Sequence, residues 1–190
     1  RSPVPGVFVW SITDRKQLAH LGHPGSVTAV RFFPDGTRIA TAGQDGTVRV
    51  WTSVSGDQQL EIACEASVID MDISRDGTRI ATGTSKRVAV WNAQSGKLVW
   101  KSEPQQYDVG VVRFSSDGKL LASGGFDETA RVWDAASGRE RARFKQDKAV
   151  FDVAFSADGS YLATAGADET ARVFALSRNT EIQRVTHKMP

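Results

Sequence analysis

The sequence has little of what cross-linked or reactive proteins depend on. One cysteine, Cys64, stands among 190 residues, so no internal disulfide can form and no cysteine cluster can hold structural zinc, while a reducing compartment is permitted. The three histidines, His20, His23 and His187, are too scattered to nominate a metal site. No apolar run approaches the ~20 residues that cross a bilayer, and no charged-then-apolar leader opens the chain. Nothing points to a membrane, and a cytoplasmic location is expected. The phosphate-cradling Gly-x-x-x-x-Gly-Lys and the Gly-x-Ser-x-Gly nucleophile turn are both missing, and no cofactor is implied. With 24 Lys and Arg against 22 Asp and Glu, the net charge is +2, too small to argue for nucleic acid. What remains is 40% hydrophobic and 24% charged, the balance of a soluble globular domain.

Glycine and tryptophan, at 17 and five residues, carry more information. The pair Asp35-Gly36 recurs as Asp76-Gly77, Asp117-Gly118 and Asp158-Gly159, each step 41 residues long. Val27, Val68, Val109 and Val150 keep the same period, and Trp10, Trp51, Trp91, Trp133 and Phe174 follow it within one residue. A fixed period of this length marks a repeat architecture. The one slip lies in the second unit, where Ser85-Lys86-Arg87 replaces the longer turn Gln44-Asp45-Gly46-Thr47 and the loop from Glu103 to Asp108 restores the register.

Within a unit, Val27–Phe32 and Thr47–Trp51 alternate, and Arg38–Gly43 is a run of small and branched residues, so three strands are predicted. Asp35-Gly36 and Asp45-Gly46 supply the turns between them. A weaker fourth strand follows at Gln59–Ile62. No stretch between these turns holds a helical period. Each unit is therefore a four-stranded antiparallel meander that would leave both apolar faces wet, and the units must stack around an axis as a propeller.

These residues resemble the Trp-Asp (WD) repeat propellers over essentially the whole chain. The carriers are Ser26 to Trp51 and Val111 to Asp134, and their even spacing looks like that of bacterial members. The expected fold is all-β, with four complete blades and a half blade: residues 1–23, then blades at 24–64, 65–105 and 106–146, with blade 4 and the start of a further repeat at His187 in 147–190. The family closes rings of about seven or eight blades, so the remaining blades are expected in the same polypeptide or in another chain. A first residue Arg1 rather than Met agrees with excision from something larger. An open stack is expected to expose apolar faces around Trp10 and Phe174.

The resemblance also implies a buried structural chain from indole N–H to hydroxyl to imidazole to carboxylate, formed by Trp51, Thr41, His23 and Asp45. Its remnants are Trp133, Ser123 and Asp127 with Gln105 at the histidine position, then Thr164 and Asp168 beside Phe174. Hydroxyl, histidine and aspartate within one repeat read as a structural set rather than a hydrolase triad. Redundant stability survives such erosion between units, whereas catalysis does not. Non-enzymatic recognition of a protein or peptide is therefore expected. Tyr107 and Phe126 are its candidate anchor, rimmed by Lys86, Arg87 and Lys148, the alternative being that Phe126 tucks against Tyr107. The competing enzymatic reading, a hydrolase or lactonase with a channel site, rests on Asp70 and Asp152. A third reading is a purely structural, self-assembling segment. Arg139, Arg141, Arg143 and Lys145 put four cations on one face of an outer strand, where they guard against edge pairing. Trp100, with Leu98 on the same side, is expected to pack beneath the neighbouring blade.

Overall fold

The computed structural model describes residues 6–187, so Arg1 lies outside the described residues. Eighteen strands and no helix make up the fold among these residues. A two-stranded half blade, β1 (Gly6–Ser11) and β2 (Lys16–Gly22), comes first. Blade 1 follows as β3 (Val27–Phe32), β4 (Arg38–Gly43), β5 (Thr47–Thr52) and β6 (Gln58–Ala63). Blade 2 comprises β7 (Val68–Ile73), β8 (Arg79–Thr84), β9 (Val88–Asn92) and the short β10 (Leu98–Lys101). Blade 3 comprises β11 (Val109–Phe114), β12 (Leu120–Gly125), β13 (Thr129–Asp134) and β14 (Glu140–Lys145). Blade 4 comprises β15 (Val150–Phe155), β16 (Tyr161–Gly166), β17 (Thr170–Ala175) and β18 (Thr180–Thr186). Every blade is an antiparallel meander.

The turns owe their shape to the repeated Asp-Gly pair. Gly36 takes a φ of 70°, a conformation glycine adopts without steric cost, and its N–H donates to Phe33 O at 2.9 Å. Asp35 remains in ordinary backbone and accepts from the Thr37 N–H at 2.9 Å.

The apolar clusters lie between blades rather than within them. Val48, Val50 and Phe33 of blade 1 meet Val68, Met71 and Ile80 of blade 2. Val88, Val90 and Trp100 then meet Leu121 and Trp133, and Val132 and Phe144 meet Val153 and Phe174. A meander pleated in this way has two apolar faces, and each is dried by a neighbour. Trp100 behaves as expected: it is buried, and its indole N–H donates to Ala135 O of the next blade at 3.0 Å. Leu98 does not share its side. The strand register shifts between the two residues, and the bulge turns Leu98 out to 44% exposure.

The open ends differ in one respect from expectation. Trp10 is 60% exposed where its repeat counterpart Trp51, packed against Val9, Ala19 and Leu21, is 6% exposed, because among the described residues no other blade covers the Trp10 face. Phe174, by contrast, is buried and stacks on Phe144 of blade 3 with ring centroids 4.2 Å apart. The third-strand aromatic of each blade faces backward along the chain, so the exposed far face of blade 4 is formed by Ala163 and Ala165 instead.

Candidate functional site

Blade 1 carries the most complete internal network. Trp51 Nε1–H donates to Thr41 Oγ1 at 2.8 Å, and His23 Nε2 lies 2.9 Å from the same oxygen. Arg49, which sequence reading passed over as one member of an alternating strand, changes the chain's polarity. Its guanidinium lies 2.9 Å from His23 Nδ1 and 2.8 Å from Asp45 Oδ2. A guanidinium only donates, so Nδ1 accepts and the imidazole proton sits on Nε2, directed at Thr41. Asp45 is 3.5 Å from Nδ1 and is held by Arg49 rather than by the imidazole. The expected relay from hydroxyl to imidazole to carboxylate is thus replaced by two donors converging on Thr41 and an arginine joining ring to carboxylate. Burial, then repulsion by Arg49, lowers the His23 pKa, which keeps the ring neutral.

Arg131 and Arg172 repeat the motif in blades 3 and 4, pairing with Asp127 and Asp168. Trp133 Nε1–H donates to Ser123 Oγ at 2.9 Å. Gln105 is buried with its Nε2 unpartnered. Gln146, unnoticed in the sequence although it lies one period on from Gln105, donates to Thr164 while its Oε1 has no partner. Phe174 makes no such bond, having no N–H to offer. The signal for the arginines was present in the sequence: Asp45 and Arg49 recur at the same four-residue spacing as Asp127 and Arg131, and Asp168 and Arg172.

The loop face lies at the end of the blades where the second-to-third-strand turns meet the segments entering each inner strand. A bulge at the same place in every inner strand leaves one residue unpaired, and in blade 4 that residue is Phe151. Phe151 is 58% exposed and Phe126 49%, and the rings meet edge to face at 6.2 Å. Phe126 therefore finds its aromatic partner across the blade boundary, in a residue sequence reading missed, rather than in Tyr107. Tyr107 itself is 52% exposed. Gly110 lies beneath the Phe126 ring, where a Cβ would touch it at an ordinary contact distance of 3.4 Å. Lys86 and Lys148 are exposed, while Arg87 is half-buried and donates to Ser102 O at 2.7 Å.

Of the two channel carboxylates, Asp70 is engaged by its neighbours, whereas Asp152 is 63% exposed. Asp70 accepts from Arg31 at 3.2 Å, from Arg113, and from the Val112 N–H at 3.1 Å, which ties blades 1, 2 and 3 together. Asp152 lies 3.6 Å from Arg113 and joins the same ladder. Asp72, whose pKa burial raises, accepts from the Phe114 N–H at 2.8 Å. On the outer strand of blade 3, Arg141 pairs with Asp134 at 2.6 Å and Arg143 with Glu140 at 2.8 Å. Arg139 precedes β14, so the exposed row is Arg141, Arg143 and Lys145. No cluster of candidate metal ligands exists among the described residues. The described residues hold no helix, and so none long and apolar enough to cross a membrane.

A ring-like stack of four-stranded meanders with an indole–hydroxyl–histidine–aspartate set inside the blade defines a WD-repeat propeller. The chain belongs to that family: the family model described as WD40, "WD domain, G-beta repeat", matches residues 15–52, 57–92, 96–134 and 138–174. Among its relatives is small ribosomal subunit protein RACK1y of Oryza sativa subsp. japonica, 32% identical over 67% of this chain and 40% of the relative. The guanine nucleotide-binding protein subunit beta-1 of Nicotiana tabacum is 28% identical over 64% of this chain and 35% of its own length. A WD repeat-containing protein of Synechocystis is 34% identical over 60% and 34%. The chain thus spans less than half the length of these relatives.

Proposed function

We propose that this chain is a non-enzymatic recognition module whose loop face binds another protein or peptide. One observation carries the reading: Phe126 and Phe151, from adjacent blades, form an exposed edge-to-face pair on a rigid scaffold. Large aromatics left in water have no folding benefit and are the residue type that dominates binding hot spots. Tyr107 extends the apolar area, and Lys86, Arg87 and Lys148 supply a cationic surround. The network of His23, Thr41, Asp45 and Trp51, with its remnants at Ser123, Asp127, Trp133, Thr164 and Asp168, holds the blades that present this face. The engagement of Asp70 by three donors favours a staple over a catalytic carboxylate. The relatives named for ribosomal and G-protein assemblies support a role in complexes.

The test is a photo-crosslinking residue at position 126 in cells producing the chain, followed by affinity measurement with the protein it captures. The double variant Phe126→Ala/Phe151→Ala is expected to weaken that affinity by about tenfold or more with thermal unfolding unchanged. Unchanged affinity would overturn the reading.

A further inference from the structure

Blade 2 departs from its neighbours inside, and the departure leaves a space. One period on from His23, Thr41 and Trp51 stand Cys64, Thr82 and Trp91. The shorter turn Ser85-Lys86-Arg87 has no carboxylate to match Asp45, and Ala89 occupies the place of Arg49. Blades 3 and 4 keep both charges. Losing the guanidinium, the carboxylate and the imidazole together removes the side chains that fill blade 1. In their place blade 2 has a cavity of about 170 Å³. Thr82, wholly buried, retains only the bond from Trp91 Nε1–H at 3.0 Å, whereas Thr41 receives two donors.

The lining determines what fits. Cys64, Ala66, Ala89 and the Trp91 ring form a largely carbon wall. Burial pushes the Cys64 thiol up to about 12, so the wall carries no charge at neutral pH. The mouth is different: Lys86, Arg87 and Lys101 stand around it against the single carboxylate of Glu65, which Lys101 bonds at 2.6 Å. A space of ~150 Å³ with an apolar floor accepts a benzene-sized group. A cationic ligand is repelled at the mouth, and an anion carried to the floor would lose its water against apolar walls.

We propose that this cavity is a socket for one apolar side chain of methionine or leucine size, carried by an acidic segment of a partner protein whose flanking carboxylates meet Lys86, Arg87 and Lys101. A methionine thioether would in addition accept weakly from the Thr82 hydroxyl. The socket opens between the 85–87 turn and the 64–66 loop, on the loop face, and so rests on the recognition reading given above while naming the partner's chemistry.

The probe is the blocked pentapeptide Asp-Glu-Met-Glu-Asp, followed by the Trp91 indole N–H resonance, identified by its loss in Trp91→Phe. A saturable shift is expected, weakened about tenfold or more when serine replaces methionine or lysines replace the acids. Ala89→Leu fills the socket from inside and is expected to abolish the shift. In the unaltered chain the peptide is expected to slow labelling of Cys64 by a small neutral thiol reagent about fivefold or more, a measurement independent of how Ala89→Leu folds. No shift and no protection, or equal binding of the serine peptide, overturns the socket. The variant Phe126→Ala/Phe151→Ala separates the two readings: socket binding that persists in it while its protein partner is lost supports both. Peptide binding with an unaffected protein partner overturns the aromatic anchor alone.

Discussion

Glu128 and Glu169 sit at the turn position that Gly46 holds in blade 1, with φ of 66° and 63° against its 77°. An L-residue in that left-handed region costs roughly 1–2 kcal/mol that glycine avoids. Glu128→Gly and Glu169→Gly are each expected to raise stability by about 1 kcal/mol, read as about 2–4 °C in thermal midpoint for a chain of this size. Protonation acts at the same scale. Burial and the Arg49 guanidinium hold the His23 pKa below its ordinary 6.5, with Asp45 and Glu61 opposing. The unfolded chain then takes up a proton before the native one does. His23 therefore contributes full stability above pH 6.5 and loses it as pH falls through that value toward the folded pKa. Urea midpoints are expected to fall between about pH 7.5 and 5.5, with a smaller fall in His23→Gln, the side chain blade 4 uses at Gln146. A second loss belongs to Asp76 and Asp158, whose seryl and backbone hydrogen bonds bring them from 3.8 to about 2; their stabilisation is lost as pH falls through that interval.

Between elements, a few polar groups fasten strand to strand within a blade and one blade to the next. The Asp45–Arg49 pair lies mostly out of water, and Arg49 also reaches Glu61 of the outer strand at 2.9 Å. Asp45→Ala is expected to cost about 1.5–3 kcal/mol, because the guanidinium loses one of its two carboxylates, and Arg49→Met added to it is expected to recover part of that loss. Denaturant unfolding of both variants checks it. Trp100 is a simpler fastening: it fills the space beside Trp133, with centroids 6.0 Å apart, and lies over Gly138. Trp100→Phe keeps most of the packing but drops the bond to Ala135 O, for an expected loss of about 1–3 kcal/mol. An equal-stability Trp100→Phe would mean that the inter-blade bond contributes nothing net.

For the molecule as a whole, the two end faces decide its behaviour in isolation. Phe8 and Trp10 are 50% and 60% exposed at one end, and Ala163 and Ala165 face outward at the other, where their blade 1 counterparts Ala40 and Ala42 are wholly buried. Contiguous apolar faces of this kind drive association, and unlike faces meet head to tail, which either closes a ring or extends. The isolated chain is therefore expected to gain mass with concentration in light scattering coupled to size exclusion. A single discrete oligomer would indicate ring closure between chains. A concentration-independent monomer would mean that these faces are too small or too polar at their margins to associate.

Much of this architecture is legible from the chain alone, because a repeat states each constraint four times. The 41-residue recurrence of Asp-Gly, the alternation of Val27 to Phe32 and the displaced Trp100 identify blades, turns and inter-blade packing without coordinates, since backbone turn chemistry and pleat periodicity are local. Tertiary structure alone decided what depends on apposition. Arg49 is in the sequence only one member of an alternating strand, and the fold alone brings Asp45, Glu61 and His23 around it. Phe151 gives no sign of itself in the sequence, and it is the bulge in β15 that sets it beside Phe126. Phe174 is dried by Phe144, 30 residues earlier. The cavity beside Cys64 emerges only when side chains missing from three places in the sequence prove to have shared one volume.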